Sequence, residues 1–185
     1  MIKPRYIGPP YSDLYHCMGN TYGTWLPGDR RGFRTRHHRQ DVPFDYKNPP
    51  PPQLYDGVED HARELMKRDV IFLSVGQRAA ALEEMLGSFL KRGISPVAMC
   101  VGRIHFHILA PFPDHDPRRW IDIAKKESSH YLKVAGLAPI GGLWAVRCEC
   151  LPVKDESHRK NAKKYILDHV TQGAAIHEPE FDLLL

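Results

Sequence analysis

At 185 residues, 42% of them hydrophobic, the chain has the length and apolar content of one ordinary domain with a real core, which argues against a second full domain. The formal charge is only +4, yet the basic residues are bunched: Arg30, Arg31, Arg34, Arg36 and Arg39 fall close together beside His37 and His38, a density that suits a polyanionic partner and equally a solvated basic loop. Four cysteines, Cys17, Cys100, Cys148 and Cys150, lie mostly in apolar segments, and with no signal peptide or membrane-length apolar span they predict a cytoplasmic protein with reduced thiols and no membrane association.

In chain order, a first strand is expected from about Leu14 to Tyr22, where Tyr15, Cys17 and Thr21 alternate with Leu14, His16 and Met18. From Gly23 to about Gln53 the chain turns rich in arginine, glycine and proline and ends in Pro49 to Pro52. That composition suits an insertion, spanning about 23–60, ordered by a partner. Between Asp60 and Val75 two readings stand: a short helix over His61 to Lys67, and a short strand or apolar connector over Val70 to Val75. Leu82, Met85, Leu86, Phe89 and Leu90 then recur at helical spacing, predicting a helix over Val75 to Arg92 stopped by Gly93.

Ser95 to Val101 and Ile104 to Ala110 read as a hairpin around Gly102-Arg103, closed by Pro111 and Pro113. Asp116-Pro117 has the form of an N-cap followed by a first-turn proline, opening a helix to about Val134 before Gly136. Trp144 to Val153 is the next strand, and Ser157 to Thr171 a last helix capped by Gly173. The order predicts an α+β ferredoxin-like sandwich over residues 1–185: an antiparallel sheet with helices on one face, the other face open to a ligand, and an additional C-terminal helix carrying Tyr165.

Chemistry concentrates in two places. Side chains alternate along a strand, so His105 and His107 project together while Ile104, Phe106 and Ile108 project into a core. In a helix, Tyr165 and His169 stack one turn apart. Three imidazoles would make a cation site with a phenol beside it, although buried histidines satisfied by backbone carbonyls, and helical tyrosines used only in packing, are common. Cys148 and Cys150 would be able to join such a site, but structural zinc more often shows C-x-x-C spacing.

A divalent ion on His105, His107 and His169 would polarise a scissile phosphate and leave Tyr165 to attack in line, giving a phosphotyrosine ester. A free phenol has a pKa of about 10, so this nucleophile needs help from the metal field, a bound water or a cation, and Lys163 and Lys164 are near in sequence. Single-strand recognition has candidates in Trp25, Phe33, Arg30, Arg31, Arg34 and Arg36 and in Lys125, Lys126 and Lys133, against the plainer roles of core anchor, loop cover and solvated helix face.

His105-Phe106-His107 in its strand, with Tyr165 in Ala162-Lys163-Lys164-Tyr165-Ile166, resembles the single-tyrosine HUH transposases of the insertion-sequence and REP-associated kinds, and Thr21-Tyr22-Gly23-Thr24-Trp25-Leu26-Pro27-Gly28-Asp29 is similar to a segment near the start of some members. The resemblance runs from Leu14 to Gly173. It implies a homodimer that binds single-stranded or hairpin DNA, cuts with Mg²⁺ or Mn²⁺ and holds a 5′-phosphotyrosine. The family's third ligand, one turn after the tyrosine, is usually an amide; His169 stands there instead, which favours manganese and lets zinc compete. A replication-initiation or relaxase-type nickase fits the length less well, and a histidine-triad hydrolase lacks its third histidine, since Leu109 is in that place. The reading from another class is a nucleic-acid-binding module on the same fold without catalysis.

Overall fold

The computed structural model describes residues 11–34, 41–42, 48–138 and 141–180. They divide into two compact units, Thr21–Ile71 and the remainder of the chain.

In the larger unit, β1 (Leu14–Thr21) pairs antiparallel with β5 (His105–Pro111), with His16 opposite Leu109 and Met18 opposite His107. β4 (Ala98–Val101) flanks β5 on its other side, setting Cys100 opposite His107. β6 (Trp144–Pro152) lies outside β1 and β7 (Ala175–His177) outside β4, so the sheet order is β6-β1-β5-β4-β7. The Val153 amide bonds to the Leu14 carbonyl while Cys148 lies against Gly19, so β6 also runs opposite to β1. Without β7, the first, second, third and fourth strands of a β-α-β-β-α-β chain take the spatial order fourth, first, third, second, the split arrangement of a ferredoxin-like sheet.

Local sequence starts and stops its helices. Between β1 and β4, helix α2 (Val75–Leu90) opens on a capping box in which the Ser74 hydroxyl accepts from the Gln77 amide and the Gln77 side chain accepts from the Ser74 amide; Gly93 follows its end at φ 72°. Helix α3 (Pro117–Val134) opens on Asp116, which caps the Arg119 amide, with Pro117 in the first turn. These two helices pack on each other and on one sheet face, where Phe112 meets Phe89 edge-on and Phe106 meets Trp144.

The final helix is shorter than its periodicity predicts. Helix α4 (Glu156–Asp168) is capped by Asp155, which accepts from the His158 amide, and ends short of the expected Thr171; His169–Gln172 tighten into a 3-10 turn that Gly173 closes at φ 74°. Ala162 and Ile166 of this helix pack on Leu14, Ala98, Cys100 and Leu109, the face opposite α2 and α3. The face expected to stay open is thus partly roofed by α4, and its uncovered part adjoins Tyr165, which is 51% exposed. Strand β7 had no counterpart in the sequence reading. β4 also starts later than expected, at Ala98, although the Val97 amide already donates to the Leu109 carbonyl at 2.7 Å.

The smaller unit, Thr21–Ile71, holds the two-stranded pair β2 (Phe33–Arg34) and β3 (Asp41–Val42) and helix α1 (Asp56–Glu64). Its ends are tied together: the Thr21 hydroxyl donates to the Ile71 carbonyl at 2.7 Å and the Ile71 amide to the Tyr22 carbonyl at 3.0 Å. Gly28 sits at φ 96° where a Cβ would lie 2.4 Å from the Glu59 backbone nitrogen, so only glycine fits. Of the two readings for this stretch, the helix over His61 to Lys67 lies only in part within α1, which ends at Glu64, and Val70 to Val75 is a connector rather than a strand, with Val75 opening α2.

Candidate active site

β5 supplies the first two functional groups. Phe106 and Ile108 are wholly buried on the α2/α3 side, so the alternation of the strand delivers His105 and His107 to the α4 side. His169, at the junction of α4 with the 3-10 turn, reaches them from above. Ring centroids are 5.1 Å apart for His105 and His107, 5.0 Å for His105 and His169, and 5.0 Å for His107 and His169. One ring nitrogen from each lies within 4.8 Å of the others, the arrangement that the spacing predicts.

Burial sets the protonation of His107. His107 and His169 are 7% and 5% exposed. Desolvation, reinforced by the neighbouring His16, His105 and His169, pushes the His107 pKa down to about 2, so its ring is neutral at physiological pH. His169 Nδ1 lies 2.8 Å from the Tyr165 carbonyl, which can only accept; the proton therefore sits on Nδ1, and Nε2 carries the available lone pair. Imidazoles converging from two elements form an all-nitrogen donor set that suits a first-row divalent ion, and the residues fit such a group.

Tyr165 borders the cluster. Its ring lies 4.7 Å from that of His169 and 5.1 Å from that of His107, edge-on to both. Burial raises its pKa, with a smaller contribution from Cys100. The lysines adjoining it in sequence are engaged elsewhere: Lys163 pairs with Glu178 at 3.1 Å and Lys164 with Asp168 at 2.6 Å.

Sequence reasoning missed His16. On β1 it lies diagonally across from His107, with Nε2 3.1 Å from His107 Nδ1 and its ring 6.2 Å from that of Tyr165. It is 8% exposed, and burial first, then the nearby His158 and His169, lower its pKa to about 4. Sharing a face with Leu14 and Met18 placed His16 on one side of the strand, but the pairing partner of β1 was needed to show which face that is.

The cysteine pair does not join the histidines. Cys148 and Cys150 sit with their sulfurs 3.9 Å apart on β6, and Cys148 abuts Gly19, whose missing side chain would point at Phe106. They therefore occupy the α3 side of the sheet, across it from the imidazoles.

The residues expected to contact nucleic acid are dispersed. Trp25 donates its indole N–H to the Gly32 carbonyl and lies beneath the Arg31 guanidinium, which also bonds Asp29 and the Thr24 carbonyl. Arg30 is exposed; the side chain of Arg34 and all of Arg36 fall outside the described residues. Lys125 is buried, its ammonium on Asp122 at 3.1 Å and the Val146 carbonyl at 2.8 Å. Lys126 is exposed and, with His130, Lys133, Trp144 and Val146, lines an open groove of about 590 Å³ beside α3. Among the described residues no helix is long and apolar enough to cross a membrane.

No protein-family model and no curated protein matches the sequence. Among solved structures, the chain is similar to a REP-associated tyrosine transposase bound to a REP hairpin, at 14% identity and a TM-score of 0.49, over 94% of this chain and 74% of that one.

Proposed function

We propose that the protein is a divalent-metal-dependent enzyme that nicks and rejoins single-stranded DNA at hairpin ends, a transposase of the single-tyrosine HUH kind, with Tyr165 as the nucleophile and His105, His107 and His169 as metal ligands. The observation that carries this reading is the meeting of three imidazole nitrogens within 4.8 Å of one another and a half-exposed phenol whose ring lies 4.7 and 5.1 Å from two of those rings. When bound, Mn²⁺ or Mg²⁺ would supply Lewis-acid charge to the scissile phosphate. Nitrogen donors favour Mn²⁺ of the two, because Mg²⁺ prefers oxygen.

Tyr165 would form the new bond from its phenolic oxygen to phosphorus as the bond to O3′ breaks, losing its proton while the departing O3′ gains one. The product is a 5′-phosphotyrosine and a free 3′-hydroxyl, and attack by a 3′-hydroxyl reverses the step. Tyr165 adjoins the histidines of its own chain, which supports action in cis. A homodimer, implied by the family resemblance, is then not required to complete the centre. Arg30, Arg31, Lys126, Lys133 and Lys164 are exposed candidate phosphate contacts among the described residues.

End-labelled hairpin DNA incubated with the protein and Mn²⁺ tests this. A covalent protein–DNA band is expected, dependent on the ion and lost in His105→Ala. Salt-sensitive binding without cleavage across divalent ions would replace the enzyme reading with that of a non-catalytic binding module.

A further inference from the structure

We propose that His16 is a positioning residue: it decides which ring nitrogen of His107 is left to face a cation. The inference rests on the metal reading above and adds a residue that the H-x-H and tyrosine pattern does not contain. Of the two buried ligand histidines, His169 has its tautomer set by a backbone carbonyl, which can only accept. His107 has no such one-way partner at Nδ1. Its neighbour there is the His16 ring, Nε2 to Nδ1 at 3.1 Å, and an imidazole nitrogen can be either donor or acceptor.

Two arrangements follow. If His16 Nε2 donates, the proton of His107 is forced onto Nε2 and that nitrogen cannot ligate. If His16 carries its proton on Nδ1, its Nε2 accepts, His107 holds its proton on Nδ1, and the Nε2 lone pair is available to the ion. Ligation by His107 Nε2 thus requires the second arrangement. The contact is well held, because His16 projects from β1 beside the β5 ladder, is 8% exposed, and stacks at a tilt with ring centroids 5.2 Å from His107. Partners of this kind orient a ligand ring, and their loss costs roughly 10- to 100-fold in metal affinity.

The test has two readouts. In the metal-free, ¹⁵N-labelled protein, long-range ¹H–¹⁵N correlation of the histidine rings is expected to show His107 protonated at Nδ1 and His16 bare at Nε2. In Mn²⁺ titrations followed by electron paramagnetic resonance, His16→Phe should weaken binding roughly 10- to 100-fold, and His16→Gln, whose amide oxygen can accept, should recover most of the loss. His107 protonated at Nε2, or His16→Phe binding Mn²⁺ as tightly as the unaltered chain, overturns the inference alone. If His16→Phe does not fold, the ring tautomers of the unaltered chain decide. An unaltered chain that takes up no Mn²⁺ overturns the metal reading and this inference together, an outcome distinct from either of the first two.

Discussion

The two faces of one sheet carry different kinds of order. Toward α2 and α3, Phe106, Ile108 and Phe112 are wholly buried and serve only to fill space. Toward α4, the alternate residues of the same strand are His105 and His107, gathered with His16 and His169 under a half-exposed tyrosine. A single period of two separates packing from chemistry, so substitutions one residue apart should fail in different ways.

The largest separation is expected from Phe106→Ala set beside His107→Ala. The first removes a buried ring and should cost about 3–5 kcal/mol in urea unfolding. The second should abolish Mn²⁺ uptake with a smaller effect on stability, about 1–3 kcal/mol, the cost of leaving the buried His16 Nε2 without its partner. Equal destabilisation by both would erase the distinction between the faces.

Acid should act on the α4 face selectively. His16 and His107 have folded pKa values of about 4 and about 2, below the 6.5 of an unfolded histidine, so the unfolded chain takes up protons first. Stability is therefore full above about pH 6.5 and falls from there to about pH 2, the His16 share, at most about 3 kcal/mol, being lost by about pH 4 and the His107 share by about pH 2. His16→Phe should make the fall between about pH 6.5 and pH 4 shallower, leaving the part due to His107; an unchanged slope would mean that His16 titrates normally.

A smaller effect probes the packing face from the neighbouring strand. A Cβ at Gly19 would lie 2.6 Å from the buried Phe106 ring, so Gly19→Ala should cost about 1–3 kcal/mol by calorimetry and leave Mn²⁺ affinity unchanged. Least of all, Lys164→Ala breaks an exposed pair with Asp168 and should alter stability by less than about 1 kcal/mol.

What was legible in the sequence was local. The strand alternation of His105 and His107, the one-turn step from Tyr165 to His169, the Asp116-Pro117 helix start and the glycine stops all lie within a few residues, and each survives in the structure. His16 and the Cys148/Cys150 pair needed the register of β1 against β5 and β6, which no short-range period encodes. β7 is three residues long, too short to show an alternation. Helix α1 has neither a side-chain cap nor a buried residue, so neither signal that marks a helix boundary was there to read. The sequence period of α4 continued through the 3-10 turn because the two helix types diverge little over four residues.

The central claim is that one chain joins three imidazoles to a phenol that attacks phosphorus. The most direct measurement is peptide mapping by mass spectrometry after incubation with hairpin DNA and Mn²⁺. A nucleotide 5′-phosphate attached to Tyr165, absent from Tyr165→Phe, is the result predicted. Cleavage that proceeds undiminished in Tyr165→Phe, or an adduct on another residue, would contradict it.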